Sequence, residues 1–315
     1  MSFVESRFRE LVEGAEPLPL PGGGRTLDRW RALARVAAED LSLVKLYEGH
    51  TDALAILAEL GSDWQQPAAS WGTWAAEPPQ ARLNLRRAGD QFVLSGRKAW
   101  CSGARIVSHA LVTCWDADDQ QCLAAVRMDS AGVRVSEASW AAVGMGLIDS
   151  PEVIFNEAKA IPIGQAGQYV QRPGFWHGGC GIAACWYGGA VPLAGVLAEA
   201  VANRANPHAA ALLGEVDVLL RSLRALLIEA AGWIDQHPSA DARSQALRVR
   251  AAADRTATEV LNRVGRGIGA GPLCQDRATA RRYADLPVFI RQTHAERDLA
   301  ELGSQLAGAE DQWLL

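Results

Sequence analysis

The spacing of apolar residues changes twice along this chain, and that double switch limits the folds open to it. From Thr26 to Leu60 apolar residues recur three and four apart, through Trp30, Leu33 and Val36 and then Leu54, Leu57 and Leu60, which predicts two helices after the PLPLPGGG loop at 17–24. From about Trp71 the spacing becomes that of strands, and short runs follow one another: ARLNLRR, QFVLSG, HALVTCW, QCLAAVRM, GVRVSE and PEVIF. Turn residues at Ala88-Gly89-Asp90 and Asp116-Ala117-Asp118-Asp119 separate them, so an antiparallel barrel or sandwich is expected.

After Pro162 the helical spacing returns and persists. The first helix lies within Gly178–Ala202. The second starts behind Asn206-Pro207, an N-cap with proline in the first turn, and runs to about Trp233. The third runs from Ser239 to Val264. The fourth follows Asp276 and is interrupted near Pro287. The expected class is α+β: a helical segment over 1–70, a central antiparallel β domain over 71–165 and a C-terminal four-helix bundle over 166–315.

Composition narrows the function. Hydrophobic residues make up 49% and charged residues 21% of 315, with a net charge of -5, which fits a globular protein and disfavours a nucleic-acid partner. The six cysteines form no CxxC pair and no ligand spacing, so reduced thiols, a cytoplasmic location and no metal are expected. The start, MSFVESRFRELVEG, lacks the apolar run of a signal peptide. Pro173–Ala198 carries no Asp, Glu, Lys or Arg and is long enough to span a bilayer, but its Gly and Ala content, His177 and Pro192 point to a buried core helix and no membrane span.

Three pieces in order, Trp74-Ala75-Ala76-Glu77-Pro78, then LSGRKAWCSGA (94–104) with its Gly-x-Lys-x-Trp stretch, then GMGLIDSPEVIFNEAKAIP (144–162), resemble the acyl-CoA dehydrogenase superfamily over most of the chain after Asp40. The resemblance implies FAD held by the β domain and the bundle. It places Trp100 beside the isoalloxazine and the Ser102 hydroxyl near N5. Backbone amides from Thr73 through Trp74, Ala75 and Ala76 would face the pyrimidine edge. A Trp face suits a flat ring, and a hydroxyl can donate to or accept from a ring nitrogen; outside that pattern the same two residues read as a core aromatic and a turn.

The glycine run RVGRGIGAGP (263–272) follows a helix instead of a strand, which disfavours a dinucleotide fingerprint. By the resemblance Gly265, Gly267 and Gly269 form a turn whose amides meet the flavin phosphates, commonly of a neighbouring subunit, so a homodimer or homotetramer is expected. A plain interhelical turn is the other reading.

Three features depart from the family. Pro79-Gln80 replaces a Gly- and Ser-bearing loop that contacts flavin and CoA phosphates. The Arg-x-x-Phe-Gly segment is lost around Asn203–His208, leaving Arg204 to keep its charge role. Ile290 and Arg291 stand where the dehydrogenase glutamate is expected. A base for an acyl thioester therefore has to be sought elsewhere. His177, in GFWHGG, stands where some superfamily members place theirs, and also reads as a packed core histidine. Glu296, in HAERD beside Asp298, is the second candidate, and also reads as a solvated, ion-paired face. His294 has its own place in the resemblance, because flavin monooxygenases of this fold pair a hydroxyl with a late-chain histidine near flavin C4a. The expected functions, in order, are an FAD-dependent acyl-thioester dehydrogenase that passes electrons to a flavin electron acceptor, a flavin-dependent monooxygenase, and a flavin-free subunit or binding protein.

Overall fold

Strand-forming runs in the middle of the chain become β1 (Trp71–Trp74), β2 (Leu83–Ala88), β3 (Gln91–Lys98), β4 (His109–Trp115), β5 (Gln121–Arg127), β6 (Val133–Val135) and β7 (Val153–Ile163) in the computed structural model, which describes residues 2–14, 16–62, 69–137 and 140–307. Hydrogen bonding runs β4-β2-β3-β7-β5, and β5 returns to β4, so five strands close a small barrel. β1 flanks β4 and β6 pairs with β7.

The expected antiparallel domain is corrected here to a mixed barrel. β1 runs parallel to β4 from Trp71↔His109 to Trp74↔Val112, and β2 meets β4 in parallel at Asn84↔Trp115. Parallel neighbours need a long connection, and alternation within each strand carries no record of which distant strand lies beside it.

Two units make up the chain: Met1–Leu18 with Ser42–Phe175, and Pro19–Leu41 with Trp176–Leu315. In the first, α1 (Phe3–Gly14), which the apolar spacing did not lead us to expect, buries Val4 and Phe8 one turn apart. α3 (Leu41–Glu59) brings Ala53, Ile56 and Leu57 against Trp71, Leu111 and Leu123 of the barrel. Each large side chain buried there contributes about 1.5–3 kcal/mol. Polar bonds set the register: His50 Nδ1 accepts the Trp71 amide at 3.3 Å, and Thr73 Oγ1 donates to the Gly49 carbonyl at 2.8 Å. Burial lowers His50 to about 4, which keeps the ring neutral and able to accept.

In the second unit, α2 (Thr26–Glu39) has no cap from its own side chains; Asp235 supplies one, accepting from the Gly24 and Thr26 amides and from Thr26 Oγ1 at 2.6 Å. The helices are α5 (Pro173–Asn203), α6 (Pro207–Gln236), α7 (Arg243–Ile268), α8 (Ala270–Gln275), α9 (Arg277–Phe289), a 3₁₀ turn Ile290–Gln292, and α10 (Glu296–Leu306), while the four-residue α4 (Gln168–Gln171) belongs to the first unit. The Asn206 side chain caps α6 by accepting from His208 and Ala209, as expected. Pro287 lies in the last turn of α9, which ends at Phe289 and gives way to the 3₁₀ turn, in keeping with the interruption expected near it. α5 is long and apolar enough to cross a membrane, and 67% of its most apolar window is buried in the protein, which supports a core helix. It crosses α2 at Gly188, where a Cβ would lie 2.2 Å from the Ala34 carbonyl oxygen.

Candidate functional site

Within Gly96-Arg97-Lys98-Ala99-Trp100, the residues Gly96, Lys98 and Trp100 each have a physical reason to be where they are. Gly96 has φ 127 at an irregularity in the β3–β7 register, and a Cβ there would lie 2.3 Å from the Arg82 carbonyl oxygen. Lys98 is buried in the barrel, where Nζ donates to the Thr113 carbonyl at 2.8 Å, to Thr113 Oγ1 at 2.6 Å and to Glu77 at 3.4 Å. Glu77 also accepts from Thr113 Oγ1 at 2.6 Å and from Gln121 Nε2 at 3.0 Å. Desolvation lowers the Lys98 pKa, and the charge of Glu77 opposes it. This network ties the Ala75–Pro78 segment to β3, β4 and β5. Sequence reasoning quoted Lys98 and Glu77 as motif letters and missed that they bond each other.

Trp100 is the outlier. It is 55% exposed although large aromatics are ordinarily buried, and its backbone has φ 56, a left-handed conformation that a bulky residue rarely adopts. Such a conformation costs about 1–3 kcal/mol and persists only where the surroundings impose it. They do so here. The Cys101 amide donates to Pro151 at 3.0 Å, the Gly103 amide to Asp149 at 3.3 Å, and the Cys101 thiol to the Lys98 carbonyl at 3.1 Å. Two residues on, Ser102 Oγ lies 2.8 Å from Ser150 Oγ. If Ser150 donates, the Ser102 proton is left to bond elsewhere.

Trp74 is buried, and its indole N–H donates to the Ser102 carbonyl at 3.1 Å. Gly72 permits this, since a Cβ there would come within 2.8 Å of the indole nitrogen. Ala75 is exposed and Ala76 half-buried on the extended segment that follows. The structure thus gathers Trp74, Ala75, Ala76, Trp100 and Ser102 at one rim of the barrel. Ser150 belongs with them; its only advance signal was its place in the third resembling segment.

The bundle glycines need a correction. Gly265 and Gly267 lie inside α7, where backbone amides are committed to the helix, and only Gly269 leaves it, at φ 68. Gly267 is a packing residue, with a Cβ there 2.4 Å from Leu197, and a Cβ on Gly265 would lie 3.2 Å from the Tyr283 hydroxyl. Arg204 is exposed just past α5. An open groove of about 480 Å³ between α7 and α9, lined by Asn262, Tyr283, Ile290 and Arg291, includes the two positions matched to the dehydrogenase glutamate but none of the candidate catalytic or flavin-binding residues.

His177 is buried at 1% exposure in α5, with its ring close against Gly22, where a Cβ would meet Nδ1 at 3.0 Å. Ile290 is buried, and Arg291 pairs with Asp254 at 2.7 Å. Glu296 is exposed, and its charge raises Asp254, whose pKa is moved up chiefly by burial. His294 is exposed in the loop before α10 and faces Asp298. No group of three or more metal-ligating side chains stands together among the described residues.

No protein-family model matches the chain, and no curated protein matches it in sequence. Solved structures do. The chain superposes on TdsC from Paenibacillus sp. A11-2, a dibenzothiophene monooxygenase, in a complex with FMN and indole, with TM-score 0.82 and 17% identity over 96% of this chain and 95% of that one. Nitrososynthase from Micromonospora carbonacea var. africana gives TM-score 0.78 and 20% identity over 96% and 88%. Methanesulfinate monooxygenase MsuC from Pseudomonas fluorescens gives TM-score 0.80 and 19% identity over 95% and 88%. This chain has their fold. It is the acyl-CoA dehydrogenase-like arrangement expected from the sequence, with a closed mixed barrel in place of a plain antiparallel domain.

Proposed function

We propose that this chain is a flavin-dependent monooxygenase that oxygenates a sulfur or nitrogen atom of a small substrate. The observation that carries the reading is Trp100: a large aromatic held outward on a strained backbone, with the Ser102–Ser150 hydroxyl pair beside it, fits a flat cofactor whose ring nitrogens need a hydrogen-bonding partner. When bound, a reduced flavin would supply two electrons to dioxygen, one oxygen atom passing to the substrate lone pair and the other leaving as water. The protein's part is to stack, orient and exclude water, through Trp100, Ser102 and the Ala75–Ala76 backbone.

Oxygenation is favoured over thioester dehydrogenation because Ile290 and Arg291 hold the position expected for the carboxylate base, Glu296 is solvated, and His177, the first alternative, is packed at 1% exposure against Gly22. The solved monooxygenases of this fold support the same choice. FMN is favoured over FAD, since Gly265 and Gly267 lie within a helix instead of in an amide-presenting turn and Pro79-Gln80 is too short to replace the phosphate loop. A homodimer or homotetramer belongs to the proposal, and light scattering that finds a monomer at micromolar concentration contradicts that part.

The test is to supply the protein with FMN or FAD, a flavin reductase and NADH, and to follow oxygen uptake and product with thioethers, sulfinates, aryl amines and indoles. Substrate-dependent oxygenated product supports the reading. Anaerobic bleaching of bound flavin by an acyl thioester, with no oxygenated product from any of the panel, overturns it.

A further inference from the structure

Two segments carry the barrel rim, 74–77 and 98–102, and side chains tie them together. β1 ends at Trp74 with its partners in β4, and β3 ends at Lys98 with its partners in β2 and β7. Among the described residues no backbone hydrogen bond joins one segment to the other. Two side-chain rungs do. Trp74 Nε1 donates to the Ser102 carbonyl at 3.1 Å, and Lys98 Nζ donates to Glu77 at 3.4 Å. The first residue of one segment meets the last of the other, so the rungs enclose Ala75 and Ala76 on one side and Ala99, Trp100 and Cys101 on the other.

Both rungs are held in place. Thr113 Oγ1 accepts from Lys98 at 2.6 Å and donates to Glu77 at 2.6 Å, with the Ala75 carbonyl 3.5 Å away, and Gln121 Nε2 donates to the other Glu77 oxygen at 3.0 Å. The Trp74 indole is buried over Gly72, whose missing Cβ leaves it room. A barrel that needed only filling would be served by an apolar side chain at 98, because withdrawing an ammonium from water carries a desolvation cost that pairing seldom exceeds. The strained backbone of Trp100, at φ 56, likewise persists only in a frame fixed on both flanks. A fixed spacing between the two segments accounts for both costs.

We propose that Trp74, Glu77 and Lys98 are positioning residues, a two-rung clamp that sets the spacing between the Ala75–Ala76 backbone and the Trp100 ring for a flat heteroaromatic ligand that meets both. That the ligand is a flavin rests on the reading above; the clamp does not. The three side chains act through the backbone and the indole they hold, without touching the ligand themselves.

The test compares full-length Glu77→Ala and Trp74→Phe with Leu57→Ala, which takes a buried side chain from the core between α3 and the barrel and so controls for lost stability alone. FMN affinity is read by fluorescence quenching at a temperature where urea unfolding shows each protein folded. Loss of either rung should weaken FMN binding by about fivefold or more, the scale of one hydrogen bond, while Leu57→Ala binds like the parent. Glu77→Gln, which keeps the shape and an acceptor for Thr113, should recover part of the loss, and it replaces Glu77→Ala if that variant does not fold. Without flavin, the ¹⁵N-labelled Trp74 indole N–H, assigned by its absence in Trp74→Phe, should exchange with deuterium faster in the Glu77 variant than in Leu57→Ala, because losing one rung loosens the other. Equal FMN affinity in the parent and either rung variant, or a loss as large in Leu57→Ala, overturns the proposal. If the parent binds neither FMN nor FAD, the flavin reading falls and the indole exchange decides the clamp alone: faster exchange in the Glu77 variant upholds it, and equal exchange in the two variants overturns it.

Discussion

The barrel rim and the loop before α10 both position polar side chains, and they do it by opposite means. At the rim, buried Lys98 and Thr113 and half-buried Glu77 bond one another, and the residues left exposed are Trp100 and a short backbone segment. In the loop, the buried carboxylate of Asp298 is the anchor, accepting the His294 backbone amide, and the His294 ring beside it stands in solvent. A buried network gives rigidity at the risk of a large penalty if one member is lost. A capped exposed ring sacrifices little stability.

The largest expected effect lies at the rim. Lys98→Met leaves the half-buried Glu77 carboxylate without its cation and should cost about 1.5–3 kcal/mol in urea unfolding, the range for hydrogen bonds to a charged group. Asp298→Asn, which keeps the helix cap, should cost about 1 kcal/mol or less. Equal losses in the two variants would erase the contrast.

His50 sharpens the comparison from the other side, as a histidine fixed by burial. Its folded value of about 4 lies below the ordinary 6.5, so the unfolded chain binds the extra proton, and stability falls as pH is lowered from 6.5 towards 4. The contribution present above pH 6.5 is about 3 kcal/mol at most, from the size of that shift. His50→Gln should flatten the acid limb of a stability-against-pH curve in that window while lowering stability at neutral pH. An unchanged limb would mean that His50 is more open to water than its packing indicates.

The smallest effect is at the hydroxyl pair. Ser102→Ala should weaken flavin binding by about 1 kcal/mol, close to fivefold in Kd, with stability unchanged. Ser150→Ala, which removes the hydroxyl that orients Ser102, should weaken it less. Reversal of that order would move the direct contact from Ser102 to Ser150.

How much of this was legible depends on the range of the interactions. Strand positions, the Asn206 cap and the sequence of helices and barrel came from local pattern, and the structure agrees with them. The parallel β1–β4 and β2–β4 pairings did not, because strand spacing is silent about distant neighbours. The glycines at 265 and 267 misled for a similar reason: glycine marks a turn or a close approach, and only Leu197 and Tyr283, which are remote in sequence, decide between them. Within HAERD the exposed-face reading suits Glu296 and Arg297, while Asp298 turns inward to cap the helix and meet His294. An (i, i+4) spacing made that pair possible, and the unusual backbone at Ala295 that accompanies it could not be read from composition.

The central claim is that the rim around Trp100 is a flavin site, and it is tested most directly by titrating the protein and its Trp100→Ala variant with FMN while following flavin fluorescence. Saturable quenching in the parent, weakened by about 1 kcal/mol or more in the variant as a stacked aromatic contact requires, is the predicted result. Binding of equal strength in both proteins, or no binding of FMN or FAD by either, would contradict it.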